Sequence, residues 1–214
     1  MTIFALGMTA FLCAQTARSD DENFQSWNEL QVTVPLAKKF DLVLQASARI
    51  GGNATQLTEG RFGSAVIWKA TAAFSFSPSY NYIETRNSAG VFHTEHRFNL
   101  RGTYKFPVKR FGLSHRSLVE FRVRTSGNSW RYRPSLTFEK AISEKLIHNA
   151  KVFLTEEPFY VSTTGKFSRN RISVGVSKIL NKNITLDVYY LRQNDGFSHP
   201  GDLNVLGTSW KVRL

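Results

Sequence analysis

From Trp27 onward, apolar and polar residues alternate with period two, the periodicity of a β-strand with two unlike faces. The first such run is 27–36, with Leu30, Val32, Val34 and Leu36 opposing Glu29, Gln31 and Thr33. The next is 40–50, where Phe40, Leu42, Leu44, Ala46, Ala48 and Ile50 oppose Asp41, Gln45, Ser47 and Arg49. Further strands are predicted over 61–69, 71–84, 95–106, 113–124, 130–139, 146–156, 169–178 and 184–192, followed by a terminal strand. Stretches 51–60, 85–92, 157–168 and 195–202 carry Gly, Asn, Thr, Ser and Asp and read as loops.

The terminal strand LNVLGTSWKVRL keeps the same pattern to its last residue. Leu206, Thr208, Trp210, Val212 and Leu214 share one face; Gly207, Ser209, Lys211 and Arg213 share the other. This reads as the closing strand of an outer-membrane β-barrel, whose last residues serve as an insertion signal for the assembly machinery. Strands of about 9–11 residues suit a tilted span, and connections that alternate short and long suit turns on one side and external loops on the other. The count is eleven. Bacterial single-chain barrels have even counts, so the expectation is an all-β, antiparallel transmembrane barrel of about 10–12 strands, in a single domain over 24–214.

Period two does not say which face is outside. A soluble lipocalin-like carrier in the periplasm would turn the apolar face inward, whereas a membrane barrel turns it to lipid. Aromatic residues near strand ends (Trp27, Trp68, Tyr82, Tyr104, Trp130, Tyr132) favour the membrane, where they would form interfacial girdles. The segment 1–19, MTIFALGMTAFLCAQTARS, adds an apolar stretch followed by small residues and reads as a signal peptide, although it lacks a basic start. A lipid anchor on Cys13 is disfavoured, because Leu12 stands where a small residue is wanted. Removal of that segment would leave the chain without a thiol. The localisation these features imply is the outer membrane of a Gram-negative cell envelope.

Charge changes the picture on the polar face. The chain carries a net +12, which would suit a nucleic-acid binder. Its basic residues, however, sit at alternate strand positions and not in one block, so they are assigned to the lumen. Lumen-lining candidates are Arg97, Arg101, Glu120, Arg122, Arg131, Arg133, Glu139, Arg171 and Asp187. They support two readings: a salt-bridge network that fills a small barrel, or an Arg-rich constriction that favours anions. The expected role is a narrow, porin-like channel or a structural membrane scaffold.

An outer-membrane lipid-modifying enzyme of acyl hydrolase or transferase type is the alternative. It would use His93 or His96 with Glu95, or His115 with Ser114 or Ser117. Its case is the weaker: no nucleophile motif, metal-ligand spacing or phosphate-cradling loop is present. No catalytic residue, metal ligand or cofactor is therefore assigned. The acid pair Glu156-Glu157, and Asp195 with Asp202, could hold a divalent ion, but ordinary solvated loop acids explain them as well. Expected partners are the lipid bilayer with its lipopolysaccharide and the assembly machinery; the barrel is expected to be a monomer that binds no nucleic acid.

Several blocks also resemble a known family: FQSWNELQVTVPLAKKFDLVLQASARIG, EHRFNL, RNRISVGVSK, and YYLRQNDG followed by PGDLNVLGTSWKVRL. From about Phe24 to the end, the chain is similar to domain-of-unknown-function family 2490. The residues carrying the likeness are Trp27, Arg49 and the Tyr189-x-x-Arg192-Gln193 run. The resemblance implies an outer-membrane-like barrel of unassigned activity and transfers no functional residue.

Overall fold

The computed structural model describes residues 23–87, 89–197 and 201–214. The signal-peptide segment 1–19 and Cys13 lie outside the described residues.

Eleven strands follow one another: β1 (Asn23–Ala37), β2 (Phe40–Gly51), β3 (Gln56–Lys69), β4 (Phe74–Arg86), β5 (Phe92–Phe106), β6 (Gly112–Arg124), β7 (Ser129–Ala141), β8 (Ala150–Val161), β9 (Lys166–Ile179), β10 (Ile184–Asp195) and β11 (Leu203–Arg213). Each pairs antiparallel with the next, and β11 closes on β1 to form a barrel. An odd up-and-down meander leaves its first and last strands running the same way. The closing seam is accordingly parallel, from Asn23↔Leu203 to Thr33↔Arg213. The even-count expectation therefore fails among the described residues, and one parallel pair takes its place. Followed once round the wall, the registers step by about 14 residues, which for this strand number gives a tilt of roughly 40° and a backbone radius of about 11 Å.

The expected alternation of short and long connections is not found. The end where β11 stops (the lower rim) carries connections 38–39, 70–73, 107–111, 142–149 and 180–183; the upper rim carries 52–55, 87–91, 125–128, 162–165 and 196–202. The longest is 142–149, on the side expected to hold short turns. Strands run from 11 to 15 residues and absorb much of what read as loop, notably 56–60, 157–161 and 166–168. Near the upper rim apolar residues such as Leu57 and Phe167 stand singly among polar ones, so pairing continues where alternation has faded.

Burial is inverted relative to a soluble protein. Phe62, Phe98, Val174 and Leu206 point outward and are 50–60% exposed, while Glu95, Arg97, Glu120 and Arg131 point inward and are 2–7% exposed. Outward aromatic residues gather toward the strand ends: Phe40 beside Trp68 and Phe74 beside Tyr104 near the lower rim, Trp130 stacked on Tyr160 at 5.4 Å near the upper. Leu, Val and Ile lie between. Trp27 departs from its expected place in the girdle. It faces inward at 8% exposure, on the face of Glu29 and Gln31, and joins Leu191, Leu203 and Val205 in a small apolar cluster behind the seam.

Candidate functional site

The lumen concentrates nearly all the chemistry. The alternation of β5 to β8 sends Glu95, Arg97 and Arg101, then Arg116, Glu120 and Arg122, then Arg131 and Arg133, then Glu157 and Phe159, to the inner face. Glu95 takes a two-point fork from Arg122 (Nε to Oε1 2.9 Å, Nη2 to Oε2 2.6 Å) and a bond from Arg97 Nε at 2.7 Å. Glu120 accepts from Arg131 Nε at 2.8 Å, Arg133 Nη1 at 2.8 Å and Arg97 Nη1 at 3.4 Å. Arg133 reaches on to Glu157 with its other arm at 2.7 Å, and Arg116 also donates to Glu157. One network therefore runs from Arg122 through Glu95, Arg97, Glu120, Arg133 and Glu157 to Arg116. Each carboxylate has at least two guanidiniums, which is what makes burial of so many charges tolerable.

Two rings carry the layer across the lumen. Phe159 is fully buried, with the guanidiniums of Arg133 and Arg171 at 4.3 and 4.7 Å and those of Arg169 and Arg131 at 5.5 and 5.7 Å from its centroid. Trp27 on β1 receives Arg171 at 4.8 Å and Arg49 at 3.8 Å. Arg171 is thereby held between two aromatic faces, and its Nε donates to Gln193 Oε1 at 2.8 Å. Arg49 and Arg61 share Glu59 on the far wall, and Arg169 pairs with Asp195 at 2.5 Å. The result is a layer of ion pairs and rings in the upper half of the lumen, built from the wall's own side chains.

The remaining lumen candidates lie lower. Glu139 pairs with Lys151 and Asp187 with Lys211, while Asp41 takes Lys69 and Arg213. Leu206, Thr208, Trp210 and Val212 face outward on β11, which pairs with β10 and β1; Leu214 follows the strand and is exposed. Glu156 faces outward and Glu157 inward, so the pair shares no ion site; Asp202 binds Arg192 at 2.9 Å. His96 bonds the Tyr80 hydroxyl at 2.7 Å, and Glu95 is committed to arginines. His115 and Ser117 do meet, Nε2 to Oγ 3.0 Å, with Ser117 also 3.0–3.1 Å from its partners as it bonds the Tyr132 hydroxyl. They face outward in the lower half of β6, His115 beside Tyr104 of the lower girdle, and among the described residues no carboxylate bonds His115.

The lumen residues read from the sequence leave out Trp27, Phe159 and Glu157, and also Glu95, Arg116, Arg49, Glu59, Arg61 and Arg169. Trp27 shares strand parity with Glu29, a signal that was available. Glu157 and Phe159 were placed in a loop, because β8 was expected to end at 156.

Fold and lumen together define a closed up-and-down β-barrel with an apolar exterior and an ion-paired interior. The chain belongs to the family described as "Protein of unknown function (DUF2490)", whose model matches residues 24–204. Among solved structures it is similar to an anion-selective porin from Comamonas acidovorans, at 13% identity and a TM-score of 0.42, over 82% of this chain and 54% of the porin. The chain thus spans about half of that porin's length. No curated protein matches it.

Proposed function

We propose that this chain is an outer-membrane β-barrel whose lumen is closed by its own ion-pair septum, and that it acts as a structural scaffold in the bilayer and not as an open pore. The observation that carries this is the inverted burial: large apolar side chains on the outer surface, arginines and carboxylates within. Water would penalise the first, and an unpaired interior would penalise the second. Strands of 11 to 15 residues at this tilt stand roughly 28–38 Å tall, enough to carry an apolar band of about 25 Å. A lipocalin-like carrier needs the reverse arrangement. The lipid-enzyme alternative is disfavoured because, among the described residues, no carboxylate bonds His115 to orient it as a base for Ser117.

In this reading segment 1–19 directs export, the assembly machinery recognises β11, and the barrel sits as a monomer among lipid and lipopolysaccharide. The test is to express the full chain, isolate outer membranes, and compare boiled with unboiled samples on an SDS gel, followed by planar-bilayer recording. A heat-modifiable outer-membrane band with little conductance is expected. A soluble periplasmic protein with no shift would overturn the membrane assignment, and steady large conductance would overturn the septum.

A further inference from the structure

The septum leaves one quadrant incompletely satisfied. Leu118 on β6 is directly flanked on the inner face by Arg101 of β5 and Arg133 of β7, with Arg116 two residues before it on its own strand. Asn99 stands two residues before Arg101. Buried atoms of all four polar neighbours lack a hydrogen-bond partner: Nε of Arg101, Arg116 and Arg133, and Oδ1 of Asn99. Half of the unsatisfied buried side-chain atoms among the described residues thus surround a single leucine. Native interiors leave few such atoms, and a concentration of them asks for an explanation.

Close ion pairs in that quadrant do not balance either, and the further acids that act on Arg101 and Arg116, Glu29 of β1 among them, do so without pairing with Arg101. Glu157 serves both Arg116 and Arg133, and Glu120 is divided among Arg133, Arg97 and Arg131. Among the described residues no acid lies within ion-pair distance of Arg101. Beside Arg101 and Arg116 the inner face carries the short hydroxyl side chains Ser77, Thr103 and Ser135, and toward the lower rim Ser75, Ser114 and Thr137. These neither fill the lumen nor neutralise it, and they offer further hydrogen bonds.

We infer that this quadrant binds a small oxyanion, a phosphate, sulfate or solute carboxylate group, held between Arg101 and Arg116 and reached from the lower rim past the hydroxyl-lined wall. Direct neighbours across strands lie about 5 Å apart and diagonal ones about 7–8 Å, so two guanidiniums placed as Arg101 and Arg116 are can grip one tetrahedral or planar anion from adjacent sides. Guanidinium N–H groups match oxyanion geometry by two-point bonding. The inference rests on the inner face alone and holds whichever solvent the outer face meets.

The experiment is thermal unfolding of the purified full chain, titrated in turn with inorganic phosphate, sulfate and acetate at constant ionic strength set by chloride. A ligand of the folded state raises the midpoint with the logarithm of its concentration once that exceeds its dissociation constant. Wild type should show this with at least one of the three anions, and R101Q should weaken the apparent affinity at least tenfold. R101Q removes no ion pair, so its midpoint in chloride alone should match or exceed that of wild type. R124Q, at the upper rim, should keep the wild-type response. Absence of a response to all three anions in wild type would overturn the site, and so would an equal response in R101Q.

Discussion

The ring of Tyr189 lies over the α-carbon of Gly207. The two are direct cross-strand partners on the inner face, and a β-carbon at 207 would fall within the tyrosine ring. On its other side Tyr189 is paired with Gly175, where a β-carbon would meet the Val188 carbonyl at 2.5 Å and Phe153 at 2.7 Å. The tyrosine is thus laid between two glycines and packs against the apolar cluster of Trp27, Leu191, Leu203 and Val205. Gly207 also pairs with Trp27 across the parallel seam. A glycine on each flank is what lets a large ring lie close to the wall at the point of closure.

Gly207→Ala should therefore cost about 1–3 kcal/mol, the usual range for overpacking. Gly175→Ala should cost more, because the backbone carbonyl it would meet cannot swing aside as a ring can. Gly60 has nothing within 4 Å of its would-be β-carbon, so Gly60→Ala should be close to neutral or stabilising. Urea midpoints of the three variants in one detergent would rank them, and equal midpoints would refute the packing described.

Glu120 is the junction of the septum, with three arginines on one carboxylate. Removing one partner from a buried ionic cluster strands the others, which costs about 3–5 kcal/mol. Glu120→Ala should show a loss of that size in chemical unfolding. Where the variant still folds, planar-bilayer recordings should show new conductance that favours anions, because Arg97, Arg131 and Arg133 would then line the gap. Unchanged stability together with a silent bilayer would show that the septum does not depend on this carboxylate.

Face assignment was the part most legible in the sequence. On β10, Ile184, Leu186, Val188 and Tyr190 turn outward and Thr185, Asp187 and Tyr189 inward, as alternation alone requires. The inner placement of Arg97, Arg101, Arg122 and Arg133 follows by the same parity. Parity carries no register, however. Nothing in the order of residues says that Arg171 of β9 reaches Trp27 of β1, because that contact depends on how far each strand is staggered around the wall. Nor could it show that β1 closes on β11 in parallel, since a parallel seam has the same alternation as an antiparallel one. Glu157 and Phe159 were lost for a third reason. In the upper part of β8, Glu156, Glu157 and Pro158 in succession put an acid on each face and break the alternation before Phe159 is reached.

The outer face offers a direct test of its solvent. Glu156 stands near the midpoint of β8, points outward between Leu136 and Ile172, and takes one bond, from Asn170 at 3.3 Å. A carboxylate held there in lipid is destabilising, and Glu156→Leu should raise barrel stability in a bilayer by about 1 kcal/mol. Val174, 52% exposed on β9, gives the converse: Val174→Arg should cost about 2–4 kcal/mol in the bilayer. Both effects would be measured by reversible unfolding from lipid vesicles. If the leucine variant loses stability and the arginine variant is neutral, the outer face meets water.

The parallel seam can be trapped covalently. Asn28 and Thr208 are register partners across β1 and β11, and the Thr208 hydroxyl donates to Asn28 Oδ1 at 2.8 Å on the outer face. Paired residues on neighbouring strands lie about 5 Å apart, within the Cα separation that a disulfide accepts. In a Cys13→Ser background, Asn28→Cys with Thr208→Cys should cross-link on mild oxidation. The product would join the first and last strands in a covalent ring, move faster on a non-reducing denaturing gel, and lose both free thiols to labelling reagents. Asn28→Cys with Leu214→Cys, six residues further along the seam strand, should stay reduced under the same conditions. If both thiols of the first pair remained open to labelling while the barrel stayed heat-modifiable, β1 would not lie beside β11, and the barrel would have to close by another route.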